Sequence, residues 1–245
     1  MTMRRAVMRS SLSAAISLGV AAALGWPLVP VAQAVPTPPD QGAPSGRQRG
    51  GASRGDCMAY QGLTALVPVV DGSVWSQTHS PTPDFFFYIP QSLTADVPLE
   101  MVVQDSDDNY VFRKQFSVDA AAGILTVPVS PAETELTPGE SYSWTFSIYC
   151  DAARPSASVA VFGTVTRVAA GTMPEAGHPL TPAQQLDLAK QYAAAGIWHE
   201  ALGLTLALHQ ADPDNAEYLE ALDALLQQAG LADLSPAVSV SEVPE

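Results

Sequence analysis

The 245-residue sequence predicts an α+β protein, in which an antiparallel β-sandwich of about seven strands is followed by a short C-terminal helical segment. Two patterns support this fold class. Between residues 57 and 168, short runs of β-branched and aromatic residues are separated by turn residues, and no helical pattern interrupts them. Between residues 182 and 231, apolar side chains recur at the spacing of amphipathic helices.

Composition excludes several classes of protein. Apolar residues make up 47% of the chain, too many for a chain that is disordered throughout. Two cysteines are too few for a disulfide-built scaffold. The chain has 11 basic and 25 acidic residues, giving a formal net charge of −14, so nucleic acid and anionic lipid are not expected partners. The acidity lies in both predicted folded parts, and such a surface would attract a basic partner, a divalent cation or the chain's own arginine-rich arm.

Residues 1–34 have the pattern of a secretory signal peptide. Three arginines open the chain, an apolar run covers residues 12–24, and Ala32 and Ala34 supply the small residues of a cleavage site. The apolar run is shorter than the roughly 20 residues that a membrane span needs. We therefore expect cleavage after Ala34, localisation to the periplasm, cell envelope or medium, and no transmembrane segment in the mature chain.

Residues 35–56 are predicted to be a disordered linker rich in Pro, Gly and Arg. Nine of these 22 residues are Gly or Pro, and such a segment cannot bury enough apolar surface to offset its chain entropy. The Gly/Arg-rich second half is compatible with an RNA-binding arm, but export favours a soluble tether. An alternative is that its arginines lie against the acidic domain.

Seven strands are expected within the sandwich, residues 57–168. The clearest is the sixth, where apolar residues at 142, 144, 146 and 148 alternate with polar ones, so one face should be buried. The run 85–89 is apolar on both faces and predicts a central strand, whereas Pro128 indicates an edge or a strand end. The expected strands cover residues 63–70, 85–89, 99–104, 110–118, 124–129, 142–149 and 159–168.

The two cysteines are expected to form a disulfide. Cys57 precedes the first expected strand and Cys150 ends the sixth, 93 residues later. In an oxidising compartment this bond would stabilise the fold by about 4–5 kcal/mol in the chain-entropy model. No C-x-x-C motif is present, so free or redox-active thiols are the weaker alternative.

The helical segment, residues 182–231, is predicted to form one helical hairpin and a further helix. Thr181, Pro182 and Gln184 form a capping box with proline at the first helical position. As a 34-residue unit, residues 182–215 resemble a tetratricopeptide repeat at Leu188, Ala189, Tyr192, Gly196, Trp198, Ala201 and Pro213. Only about one and a half repeats are present, and arrays normally need at least three, so these helices should pack on the β module or on a partner.

The remaining segments are expected to lack stable structure. Residues 169–181 are predicted to link the two folded parts, and residues 232–245 to form a disordered acidic tail.

Metal-binding patterns are incomplete. His199 and Glu200 begin an H-E-x-x-H motif, but Gly203 replaces the second histidine, so His199 and His209 are expected on the helix surface. No metal or other cofactor is therefore predicted.

One loop partly resembles a calcium loop. Asp105, Asp107 and Asn109 occupy its first positions, but Tyr110 and Phe116 replace the required glycine and glutamate. A polar hairpin turn is the preferred interpretation, and a weak calcium site is the alternative.

Several short motifs occur in a characteristic order. They follow the Gly/Arg-rich lead into Cys57 and are residues 63–68 (LTALVP), 83–90 (PDFFFYIP), 141–146 (SYSWTF), 150–151 (CD) and 196–202 (GIWHEAL). This order resembles the exported cyanobacterial proteins grouped as domain of unknown function 928. The resemblance implies export, a cyanobacterial envelope or periplasmic setting, and a β part and a helical part that belong together. It implies no activity and no catalytic residues.

The function expected from the sequence is that of a non-catalytic envelope or periplasmic protein-interaction module. Its partner would be another envelope or secreted protein, bound on the groove of the helices or on the sheet that contains residues 85–89. Candidate surface residues are Tyr192, Trp198, Tyr218 and Trp75. One alternative is a carbohydrate- or calcium-binding module, with Trp75 and Tyr60 stacking on a sugar. The other is a hydrolase, which would need clustered titratable groups with perturbed pKa values in a pocket.

Overall fold

A computed structural model describes residues 36–38, 45–51, 55–129, 135–151, 154, 156–169, 179–234 and 239–243. The predicted signal peptide with Ala32 and Ala34, and most of the predicted linker at 169–181, lie outside the described residues.

The described residues form strands first and helices afterwards. A short 3₁₀ helix over Gly55–Tyr60 precedes the sandwich. The strands are β1 Thr64–Ala65, β2 Val69–Val70, β3 Ser73–Thr78, β4 Asp84–Ile89, β5 Leu99–Gln104, β6 Tyr110–Phe116, β7 Gly123–Pro128, β8 Ser141–Tyr149, β9 Ser158–Arg167 and β10 Ser239–Glu242. The helices are α1 Pro182–Ala195, α2 Trp198–Ala211 and α3 Ala216–Gln228.

The strands build two sheets that face each other. One has the order β2-β3-β9-β8-β5-β6 and the other the order β1-β4-β7-β10. Strand β3 is parallel to β9 and β10 is parallel to β7, whereas the other pairs are antiparallel. The α+β class is therefore correct, but the prediction of a purely antiparallel sandwich with about seven strands is wrong.

The core lies between the two sheets. In β8 the residues at 142, 144, 146 and 148 are buried, as their alternation predicted. Phe87 of the four-stranded sheet stacks on Phe146 of the six-stranded sheet, with ring centroids 4.1 Å apart. The disulfide between Cys57 and Cys150 is present, with a Cα–Cα distance of 5.2 Å, and ties the entry of the domain to the end of β8.

Some strands differ from those expected. The expected strand at 63–70 divides into β1 and β2, which belong to different sheets, and the loop before β4 contains the additional strand β3. Pro128 does end β7, but β7 is not an edge strand because it lies between β4 and β10. Strand β10 lies within the predicted disordered tail, where it pairs with β7 over Ser239–Glu242.

The helices pack on the outer face of the four-stranded sheet. The capping box at Thr181 is formed, and Gly196 ends α1 with a left-handed φ of 75°. Apolar side chains of α2 and α3 are buried together with Leu66, Phe86 and Ile124 of the sandwich. The sheet that contains residues 85–89 is thus covered on both faces, so the prediction that a partner binds on it is wrong.

Residues 45–51, here called the strap, lie along the sandwich. Backbone bridges join Arg47 to Phe162 and Arg49 to Thr64. The Gln48 side-chain amide donates to the carbonyl oxygens of Val67 and Ala229, at 2.7 and 2.9 Å. The prediction that residues 35–56 form a disordered linker is therefore wrong for the strap.

One strap arginine does contact an acidic residue, as the alternative interpretation expected. The guanidinium of Arg49 lies 2.5 Å from the Asp233 carboxylate, which follows α3. The strap therefore contacts both the sandwich and the helical part.

Candidate functional site

Three consecutive side chains at the start of α2 hold the helices on the sandwich. Trp198 donates its indole N–H to the carbonyl oxygen of Leu66, at 2.6 Å. His199 bonds to two strands, and Glu200 bonds to the residues that follow β3. In the sequence, Trp198 was a tetratricopeptide-type position and a candidate surface residue, whereas His199 and Glu200 were considered as the start of an incomplete zinc motif.

His199 connects a strand of one sheet with a strand of the other. Its Nε2 lies 2.8 Å from the Ser76 hydroxyl on β3, and its Nδ1 lies 2.7 Å from the carbonyl oxygen of Asp84 on β4. The Phe85 ring meets the imidazole edge-on, with centroids 5.1 Å apart. Because a carbonyl oxygen can only accept, Nδ1 carries the hydrogen, and in the neutral ring Nε2 accepts from Ser76.

Burial keeps this imidazole neutral. The His199 side chain is only 4% exposed, and desolvation lowers its pKa against the opposing effects of the Asp84 carbonyl and the Glu200 charge. His209 is 5% exposed. The prediction that both histidines lie on the helix surface is therefore wrong, because α2 turns both toward the interior.

Among the described residues, Glu200 is hydrogen-bonded through one of its two carboxylate oxygens only. Its Oε1 accepts hydrogen bonds from the Thr78 hydroxyl at 2.8 Å and from the backbone N–H groups of His79 and Ser80, both at 2.7 Å. Its Oε2 is shielded from solvent and has no hydrogen-bond partner among the described residues. This carboxylate thus has unused acceptor capacity.

A cavity of about 680 Å³ lies beside these residues, between the segment after β3 and the helices α1 and α2. We call it the cleft. Its walls include apolar side chains, and its polar lining includes Asp84, Tyr192, His199 and Glu200. The described lining contains no Lys or Arg.

Negative charge dominates the polar end of the cleft. The pKa of Asp84 is raised by partial desolvation and by the charges of Glu242 and Glu200. The pKa of Tyr192 is raised by burial and by Glu200. A cation placed at this end would relieve the mutual repulsion of the carboxylates.

Ser76, His199 and the Asp84 carbonyl also have the arrangement of a nucleophile, a base and an orienting acceptor. The side chains of Ser76 and His199 are only 2% and 4% exposed, so substrate has no direct access to the hydroxyl. Together with Asp84 and Tyr192, this histidine provides the clustered titratable groups that the hydrolase alternative requires. That alternative therefore stays open.

The aromatic residues that were predicted to lie on the surface differ in their burial. Trp75 is 4% exposed and donates to the Thr166 hydroxyl at 3.0 Å, and Trp198 is 2% exposed, so the prediction that they form an interaction surface is wrong. Tyr60 is also buried. Tyr192 lines the cleft, whereas Tyr218 is half-buried on α3 outside it.

In the acidic hairpin turn, the carboxylate of Asp105 is hydrogen-bonded within the turn itself. Asp105 accepts from the backbone N–H groups of Asp107 and Asn109 and from the Asn109 amide, and these bonds lower its pKa. Within the described part of the chain, no group of three or more His, Cys, Asp or Glu is placed to hold a metal ion.

Ser76, Thr78 and Asp84 were not identified from the sequence as site residues. Two of them lie on β3, which no sequence pattern predicted, and Asp84 contributes a backbone carbonyl. These three residues become part of the site only because the start of α2 packs against them. No pattern in their own neighbourhood of the sequence could have identified them.

No helix in the described ranges is both long and apolar enough to cross a membrane. Among proteins with curated descriptions, none matches the chain. The model of the family described as Domain of Unknown Function (DUF928) matches residues 49–238, which include the disulfide and the start of α2. On this match the chain belongs to the DUF928 family.

Proposed function

We propose that this protein is an exported, non-catalytic interaction module that binds a segment of another envelope or secreted protein in the cleft. The observation that carries the proposal is the cleft itself. Its volume of about 680 Å³ falls in the range of ligand sites, and it combines apolar walls with a few converging polar groups.

Other surfaces are weaker candidates. Helix α2 covers the outer face of the four-stranded sheet, and both tryptophans proposed from the sequence are buried. A second cavity of about 360 Å³ lies between α1 and α3, and it is lined by Lys190 and Glu217, which pair with each other at 3.2 Å.

Export is supported by the N-terminal sequence pattern and by the disulfide, a bond that persists in oxidising compartments. The non-catalytic role is supported by the burial of Ser76 and His199, whose hydrogen bonds join strands and helix.

Site-specific photo-crosslinking in the native cell tests the proposal. A benzophenone amino acid replaces Gln185, which lines the cleft from α1, or the exposed Asp187 two residues further along the same helix. These positions point about 200° apart around the helix. We expect a discrete adduct from position 185 that is absent from position 187.

The crosslinked protein is then identified by mass spectrometry and its affinity is measured after purification. A Gly203→Trp variant serves to fill the cleft, because a Cβ at Gly203 would meet only the Phe86 ring, at 3.4 Å. Binding that is unchanged in this variant, provided that it melts like the wild type, would refute the cleft as the binding site.

A hydrolase is the second candidate function, favoured by the Ser76–His199–Asp84 arrangement. A fluorophosphonate probe followed by peptide mass spectrometry distinguishes the two. On our proposal Ser76 stays unmodified, whereas labelling of Ser76 in the wild type that is lost in His199→Gln would establish the hydrolase instead.

A further inference from the structure

We infer that the partner segment presents a cationic side chain, a lysine or an arginine, to Glu200 and Asp84 at the polar end of the cleft. This inference rests on the proposed function and specifies the chemistry of the occupant. Three features of the cleft support it independently of one another.

The first feature is the Glu200 oxygen that has no hydrogen-bond partner in the part of the chain that the structure describes. Buried polar atoms in native proteins nearly always have a hydrogen-bond partner, so one without a partner needs an explanation. Three donors from the sandwich hold Oε1 in place, while Oε2 has none among the described residues. An ammonium or guanidinium group that displaces the atoms covering Oε2 would supply the missing bond, and a charge-assisted one.

The second feature is the uncompensated charge. Asp84, Glu200 and Glu242 lie close enough for the charges of the two glutamates to raise the pKa of Asp84. The described lining of the cleft offers no Lys or Arg to balance them. A cationic side chain at this end of the cleft would stabilise the charged form of Asp84.

The third feature is the shape and chemistry of the walls. Pro83, Leu180, Leu188 and Leu204 line the cleft beside the carboxylates, and the Tyr192 ring lies among them. Lysine and arginine bury an aliphatic stem along such a surface while the charged end reaches polar groups. A small inorganic cation would leave these apolar walls without a function.

Peptide selection tests the inference directly. A phage-displayed library of random dodecapeptides is selected on the chain purified from a bacterial periplasm, with depletion on the Gly203→Trp variant to retain only cleft binders. Selected peptides are synthesised with each Lys or Arg in turn replaced by norleucine, which keeps the stem and removes the charge. Dissociation constants are measured by fluorescence anisotropy in EDTA, which removes bridging metal ions.

We expect one basic residue in each selected peptide to be essential, with an about 10- to 100-fold loss of affinity on its replacement, as for a lost charge-assisted bond. Glu200→Gln and Asp84→Asn should weaken the same peptides, and raised salt should do so as well. Glu140→Gln is the matched control, because it removes one charge from an exposed turn outside the cleft. Its affinity should equal that of the wild type.

The results separate the inference from the proposed function. Cleft binders that tolerate norleucine at every basic position would overturn the inference and leave the proposed function standing. Failure to select any peptide that depends on the cleft would overturn both. If Glu200→Gln does not fold, as judged by circular dichroism and melting temperature, the norleucine peptides and Asp84→Asn still decide the question.

Discussion

Replacement of His199 by phenylalanine should reveal how the imidazole joins the two sheets. Phenylalanine fills a similar volume and leaves the Ser76 hydroxyl and the Asp84 carbonyl without their partner. Each buried group left without a hydrogen bond costs about 1–3 kcal/mol, so the loss of two should lower the free energy of unfolding by about 2–6 kcal/mol near pH 7.5.

The loss of stability caused by His199→Phe should depend on pH. Burial lowers the pKa of His199 in the folded protein, so below the unfolded value of about 6.5 the unfolded chain binds a proton that the folded one does not. The histidine's contribution is therefore complete above pH 6.5 and declines as the pH falls, by up to about 1.4 kcal/mol per unit. The difference between wild type and His199→Phe should shrink by about 1 kcal/mol between pH 6.5 and 5.5.

Urea unfolding followed by tryptophan fluorescence at pH 7.5, 6.5 and 5.5 measures these differences. Ser76→Ala in the His199→Phe background serves as a control. Removing the hydroxyl that has lost its partner should restore about 1–2 kcal/mol of the free energy of unfolding. A loss below about 1 kcal/mol at pH 7.5, or a difference that does not change with pH, would refute this account of the buried imidazole.

Three further predictions concern two glycines, the strap and the N-terminal processing. Gly203→Ala should raise the stability measured in thermal melts by about 0.5–1 kcal/mol, because alanine favours the helix and its Cβ would meet only the Phe86 ring. Gly163→Ala should lower the stability, because a Cβ there would lie 2.6 Å from the Val74 carbonyl oxygen. Gln48→Ala should lower the free energy of unfolding, measured with urea, by about 1–2 kcal/mol, because it removes two hydrogen bonds that join the strap to the sandwich and the helices. Arg49→Ala should lower it by less, because the ion pair of Arg49 is exposed. Edman sequencing of the protein from the native cell should begin at Val35, and an intact N-terminus would disprove cleavage after Ala34.

Local chemistry made part of the fold predictable. The strand β8 follows from strict alternation, helix α1 from its capping box and Gly196, and the disulfide from two cysteines at the borders of a β module. Each of these signals lies within a few residues of the element that it specifies, or depends on a single pair of side chains.

The candidate site could not be predicted in this way. Its residues come from β3, from the backbone of Asp84 and from the first turn of α2. His199 is 123 residues away from Ser76 and 115 residues away from Asp84 in the sequence. Strand β3 has the sequence SVWSQT, in which polar and apolar residues do not alternate, so the pattern typical of a strand is missing. It forms by pairing in parallel with β9. Strand β10 likewise depends on β7 and not on its own residues.

The sequence by itself therefore determined the class of fold, the division into a β part and a helical part, the disulfide and the acidity of the protein. Only the tertiary structure decided that Trp75, Trp198 and His199 are buried. It also decided that one Glu200 oxygen, beside a cleft, has no hydrogen-bond partner within the described ranges. The physical reason is that burial and hydrogen-bond satisfaction depend on which distant segments meet. Periodicity reports which face of an element is apolar, but it does not report what covers that face.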